Sequence, residues 1–261
     1  FVSLDSNLFL TGGSILFTNP SPLGLFVLTS NSSGSVFNSI IKNTAPTNAE
    51  SNAFVVDQSN LYVQNNYNTA TKCIEGFNAA FVLSTNSTCS VSNLNDKSEY
   101  VNQTLCSTRY SGFNMVQGKS LAYDYNIFSS GIQNVGSKVS LNGVNIEAHR
   151  VITSWNNAGS TFENCIFKFN TTFALANPSQ SRIYIWEDNG NTSSFYNCTL
   201  DLNNLSTGIR SSVNGTQFWT DSSNFINVPG NARLISDFNS IVYAPLVTGI
   251  TKLAGPTALI Y

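Results

Sequence analysis

Apolar residues in this chain come as pairs and short alternations, and from residue 138 onward the alternation repeats. Leu141-Asn142-Gly143-Val144-Asn145-Ile146, Phe162-Glu163-Asn164-Cys165-Ile166-Phe167 and Phe195-Tyr196-Asn197-Cys198-Thr199-Leu200 align with one another, and Thr220-Asp221-Ser222-Ser223-Asn224-Phe225 keeps the pattern in weaker form. The copies lie 21, 33 and 25 residues apart. After each comes an Arg beside apolar residues: Arg150-Val151-Ile152, Arg182-Ile183-Tyr184, Ile209-Arg210 and Arg233-Leu234-Ile235. Short strand runs broken by Asn-Gly and Ser-Gly, recurring every twenty to thirty residues, predict the coils of a parallel β-helix. The longest step is then a coil carrying a loop insertion at Asn177-Pro178-Ser179-Gln180-Ser181.

Side chains alternate across a strand, so the repeat also assigns faces. Val144, Ile146 and Ala148 are predicted to point inward, as are Cys165, Phe167 and Phe169, then Cys198, Leu200 and Leu202. The outward row reads Asn145, Glu147, His149, then Ile166, Lys168, Asn170, then Thr199, Asp201, Asn203. A slip of one residue would expose the whole apolar column, which favours this register.

The F-x-N-C-x-[FL] turn, with inward Cys and Phe columns and Asn at the corner, resembles the right-handed parallel β-helices of the pectin-lyase-like superfamily over residues 138–235. The resemblance implies an all-β solenoid and says little of activity, because that superfamily includes lyases, hydrolases, viral tailspikes, adhesins and inert surface proteins. Its pectate-lyase members use clustered Asp ligands for calcium with an Arg or Lys base, and its polygalacturonases an Asp triplet with His-Gly. Here the carboxylates are scattered and His149 is followed by Arg150, so neither set carries over. Residues 1–115 hold strand-sized apolar runs at 36–40, 54–56, 61–63 and 81–83 and are expected to form early coils or a cap. Residues 116–240 are expected to be β-helix coils, and the apolar stretch 241–261 a cap or an assembly contact.

Composition supports strands and turns. Charged residues are only 10% of the 261, so strong helix formers such as Glu and Lys are sparse, while 18 Phe and 10 Tyr supply ample core. A net charge of −2 built from so few ions excludes a patch able to grip a phosphate backbone, and nucleic acid is not an expected partner. No apolar run approaches the roughly 20 residues of a membrane span. The chain opens on Phe1 without a basic-then-apolar leader, which suggests a targeting segment removed or lying outside the sequence. The expected setting is extracellular, at a cell or virion surface.

Stacking the repeats puts Glu147, Lys168 and Asp201 in one outward column. Two carboxylates about 9.6 Å apart across two coils would suit an inverting glycosidase. The competing expectation is a minus, plus, minus ladder in which Lys168 keeps both acids ionised. His149, the single histidine, neighbours Asn170 on the outward face with Glu147 two residues earlier, and Ser154 is the one nearby hydroxyl with a case as nucleophile. Trp155 and Trp186, the latter beside Glu187 and Asp188, are candidates for stacking on sugar rings, with Trp219 at a comparable point of another coil. Cys165 and Cys198 fall in one inward column, as a disulfide or a reduced stack; Cys73, Cys89 and Cys106 are close enough in sequence for one local bridge. Eight sequons (Asn31, Asn86, Asn102, Asn170, Asn191, Asn197, Asn204, Asn214) permit glycosylation, although Asn, Ser and Thr are frequent enough for chance to place about as many. No metal-ligand spacing or cofactor motif is present.

The expected function is that of a non-enzymatic structural or adhesive surface protein, a self-associating subunit of a fibre, spike or filament that meets a glycan or host receptor. The alternative is a polysaccharide-degrading or polysaccharide-binding β-helix of the tailspike kind.

Overall fold

The computed structural model describes residues 2–4, 6–18, 24–44, 51–66, 71–92, 98–122, 132–148, 152–169, 183–187, 189–204, 208–211, 214–220, 222–248 and 250–261. Over these the chain forms 27 strands, each hydrogen-bonded in parallel to strands one coil away. The protein is an all-β parallel β-helix. Among the described residues no helix is long and apolar enough to cross a membrane.

Each coil contributes to three faces in turn. Face A runs from Val2–Leu4 to Thr251–Ala254, face B from Asn7–Thr11 to Leu259–Ile260, and face C from Ser14–Phe17 to Asn224–Ile226. The same winding therefore passes through residues 1–115, and it continues through 241–261, where Ile241–Tyr243 and Thr251–Ala254 extend faces B and A. Four long strands, Lys72–Ser84, Glu99–Arg109, Gly112–Ala122 and Lys138–Ala148, bend round a corner without an intervening loop and pair on two faces each. In the first of them the bend falls at Gly76, whose φ of 85° and close approach to the Asn43 carbonyl leave no room for a Cβ.

The A–B corner is held by a ladder of polar residues, each just before a face-B strand. The Ser32 N–H donates to Ser59 Oγ (3.1 Å), Ser59 to Ser87 (3.4 Å), Ser87 to Ser111 (3.4 Å) and Ser111 to Ser137 (3.0 Å). Farther along, the Ala158 N–H donates to Asn191 Oδ1 (2.8 Å) and the Gly215 N–H to Ser240 Oγ (3.0 Å). The turn before each rung uses left-handed residues such as Asn31, Asn86, Asn157 and Asn214, which explains the abundance of Asn there. Backbone groups at a buried corner have no strand partner, and the ladder supplies one.

The interior is filled by stacked rows. On face A, Phe26, Phe54 and Phe81 stack with ring centroids 5.2 and 5.7 Å apart. On face B the row Phe162, Phe195, Trp219 has spacings of 5.1 and 3.8 Å. Val144, Ile146, Ala148, Cys165, Phe167, Phe169, Cys198, Leu200 and Leu202 are all buried, in the inward register that the repeat predicts. The arginine landmark is different: Arg210 lies beside Trp186 and Ile235, and Arg233 beside Gly208, so these arginines share no column. Arg150, Arg182 and the loop insertion lie outside the described residues.

Candidate functional site

Face C brings together three of the candidate residues. Glu147 is in register with Lys168, and Lys168 with Asp201. Lys168 is exposed, whereas Asp201 is half-buried and held locally: its Oδ1 accepts the Asn203 N–H (2.9 Å) and the Asn227 side-chain amide (2.9 Å). The expected ladder is thus aligned but not closed by ion pairs. Among the described residues the ion pairs are those of Glu75 with Lys42 (3.3 Å) and Lys72 (3.7 Å). Both amide donors meet Oδ1 of Asp201, one of the two carboxylates that Lys168 was expected to neutralise. His149 lies outside the described residues. Ser154 is buried on face A, with an Oγ that has no hydrogen-bond partner, and so does not join the face-C carboxylates.

Trp155 and Trp186 both belong to face-A strands but in different rows, Trp155 beside Val135 and Trp186 beside Thr153. Their side chains fall outside the described parts. Trp219 corrects the comparison with them: it is buried on face B against Phe195, its indole N–H donating to Gln217 Oε1 (3.2 Å).

All five cysteines are free and buried, so neither expected bridge is formed. Cys73, Cys89 and Cys106 enter the interior from faces C, B and A respectively, and none is bridged to another. Cys165 and Cys198 form the reduced stack at the B–C corner. The Cys165 thiol donates to the Glu163 carbonyl (3.2 Å) and that of Cys198 to the Tyr196 carbonyl (3.4 Å). Ser223, one coil on, donates to the Phe195 carbonyl (3.1 Å), so the fourth repeat keeps the same small donor in place of Cys. A hydrogen bond with the Cys198 thiol, then burial, raises the Cys165 pKa.

The sequons divide sharply. Asn31, Asn86, Asn197, Asn204 and Asn214 are exposed. Asn102 and Asn191 are buried, Asn102 accepting the Phe77 N–H (2.9 Å) and donating to the Ile74 carbonyl (3.2 Å), so neither can carry a glycan in this fold. Asn170 lies outside the described residues.

The site that sequence reasoning missed is on face B. Outward positions there align into one column, Tyr62, Ser90, Asn114, Ser140, Thr161, Ser194 and Phe218. Six strand steps separate the two rings, about 29 Å. Between them the small side chains leave an open trough of about 570 Å³. One row of the trough reads Thr88, Gly112, Lys138, Gly159 and Thr192. The aromatic ends are accessible: Tyr62 is 37% and Phe218 43% exposed, and the column runs on to Tyr243 at 46%. A hydroxyl and amide floor between exposed rings offers hydrogen bonds to sugar hydroxyls and flat faces for pyranose rings. The only signal in the sequence is a small polar residue three positions after each of the corner residues Ser87, Ser111, Ser137, Ala158 and Asn191, a pattern visible only once the register is known.

No protein-family model, curated protein or solved structure matches the chain. Among the described residues no group of three or more His, Cys, Asp or Glu side chains could hold a metal ion.

Proposed function

We propose that this protein is a non-enzymatic extracellular surface protein of the adhesive kind, which holds polysaccharide chains along face B of a rigid β-helix. The observation that carries this reading is the outward column from Tyr62 to Phe218, in which five consecutive polar rungs lie between exposed aromatic rings. A flat array with a fixed repeat suits a polymer that also repeats, because each unit meets an equivalent rung. The adhesive reading is favoured over hydrolysis because the face-C carboxylates lie on a different face and Asp201 is held by amide donors.

The test is affinity electrophoresis of the purified chain in gels containing a panel of neutral and acidic polysaccharides, with chromatography of the polysaccharide afterwards. Retardation without release of shorter saccharides is the expected result. Gly159→Leu is the matched control: a Cβ at Gly159 meets nothing within 4 Å, so the variant should fold normally while its side chain fills the trough and abolishes retardation. Released oligosaccharides would replace adhesion with depolymerisation, and no retardation by any polysaccharide would remove the reading.

A further inference from the structure

We infer that face B is an isologous contact between two copies of this chain, which pair face to face with their winding axes antiparallel. Face B is built from eleven strands, and the one that begins at Lys138 is the sixth, with five on either side. A two-fold axis lying in the contact plane along that central strand sets each coil opposite the one equally far beyond the centre, in the same row. The outward rows read nearly the same from both ends. In one, Thr88 and Gly112 lead to Lys138, and Gly159 and Thr192 lead away from it. In the next, Ser90 lies two coils before Ser140 and Ser194 two coils after it. A surface that must fit a second copy of itself needs this symmetry.

The two ends of the face carry the apolar contact. At the N-terminal end Phe9, Phe37 and Tyr62 form a chain of rings with centroids 5.7 Å apart at each step, and Phe9 is 66% exposed. At the C-terminal end Phe218, Tyr243 and Tyr261 form a second chain, 6.3 Å at each step, with all three rings exposed. The two-fold axis lays the first cluster of each copy on the second cluster of the other, Phe9 opposite Tyr261 and Tyr62 opposite Phe218, so one ring-on-ring contact is made twice. Among the described outward residues of face B only Lys138 and Glu163 are charged. Aromatic residues with few charges near them are the composition of interface cores. Ten strand spacings by five residues give a footprint of about 48 Å by about 17 Å, roughly 800 Å² per copy, the usual size of a stable protein contact. Between the rings the small rungs of the two copies face each other across a hydrated middle. Lys138 meets its own counterpart at the rim, beside the A–B corner, where exposed charges contribute little.

A second copy covers the same face on which polysaccharide is proposed to lie, so the two compete, and the dimer is measured without polysaccharide. Its failure therefore leaves the polysaccharide reading to the gels. Sedimentation velocity of the whole chain over a concentration series is the test, and a dimer is expected in about the micromolar range. Phe9→Asp and Tyr261→Arg each change an exposed side chain, so circular dichroism should stay native while each weakens the dimer by about tenfold or more. Combined in one chain, the two substitutions set opposite charges face to face at both contacts and should restore the dimer. A monomer at every concentration overturns the inference. A dimer lost with Tyr261→Arg but kept with Phe9→Asp means that the copies join through their C-terminal ends, and also overturns it. So does a double variant no more dimeric than the single ones, because the two positions then do not meet.

Discussion

Single residues at the corners decide whether this chain can wind at all, because each corner buries backbone groups that no neighbouring strand satisfies. Asn191 shows how the ladder adapts. Ala158 offers no hydroxyl to the Ser137 N–H, which donates instead to Asn134 Oδ1 (3.1 Å), and the Ala158 N–H in turn donates to the longer Asn191 side chain at 2.8 Å. Removing a buried acceptor leaves its donor unsatisfied, so Asn191→Ala should lower stability by about 1–3 kcal/mol in urea unfolding. The same burial makes a second observable. On expression in a host that glycosylates, peptide mapping should find Asn191 and Asn102 bare, with modification confined to exposed sequons such as Asn31 and Asn86. A glycan on Asn191 in folded protein would mean that this corner is built differently.

At the scale of strands, stability comes from rows in which each side chain packs on its counterpart one coil away. Phe195 lies between Phe162 and Trp219, stacked on the latter at 3.8 Å with planes 3° apart. Phe195→Ala should cost about 3–5 kcal/mol, the penalty for a fully buried aromatic, while Phe218→Ala, exposed on the next strand, should stay within about 0.5 kcal/mol. Chemical denaturation of the pair measures the contrast directly. These rows also explain what could be read beforehand. Parity within each strand assigned the inward residues of 144–148, 165–169 and 198–202 correctly, since one slip would have exposed every one of them. Earlier coils resisted alignment because their corner residues vary, Ser39 standing where Cys165 and Cys198 stand later, and because Lys72–Ser84 and Glu99–Arg109 pass from face to face without a turn. Trp219 was misjudged for the same reason: its place in an inward row depends on pairing with Phe195, 24 residues away. The trough was illegible because its lining residues come from successive coils and share only smallness and polarity.

Over the whole molecule, each coil touches only its neighbours, so stability is the sum of coil and interface contributions and a weakness in one stretch is felt by the stack. The buried thiols supply such a weakness at high pH. Burial raises the pKa of Cys73, Cys89 and Cys106, the nearby Cys106 adding to the effect at Cys89, and burial also raises that of the Tyr100 phenol among the same coils. In the unfolded chain these thiols ionise near pH 8.5 and the phenol near 10. Folded pKa values lie above the unfolded ones, so above about pH 8.5 the unfolded state releases protons that the folded state keeps. The stabilisation is fully present below that pH and drains away as pH rises towards the folded values, by at most about 1.4 kcal/mol per thiol per pH unit. The melting temperature should therefore be flat from pH 6 to 8 and fall steeply from 8.5 to 10.5. A Cys89→Ala, Cys106→Ala double variant starts lower, because two packed side chains are truncated, but its alkaline slope should be shallower. Equal slopes in the two proteins would show that the loss arises elsewhere, from general charge repulsion rather than from thiols kept protonated inside the coils.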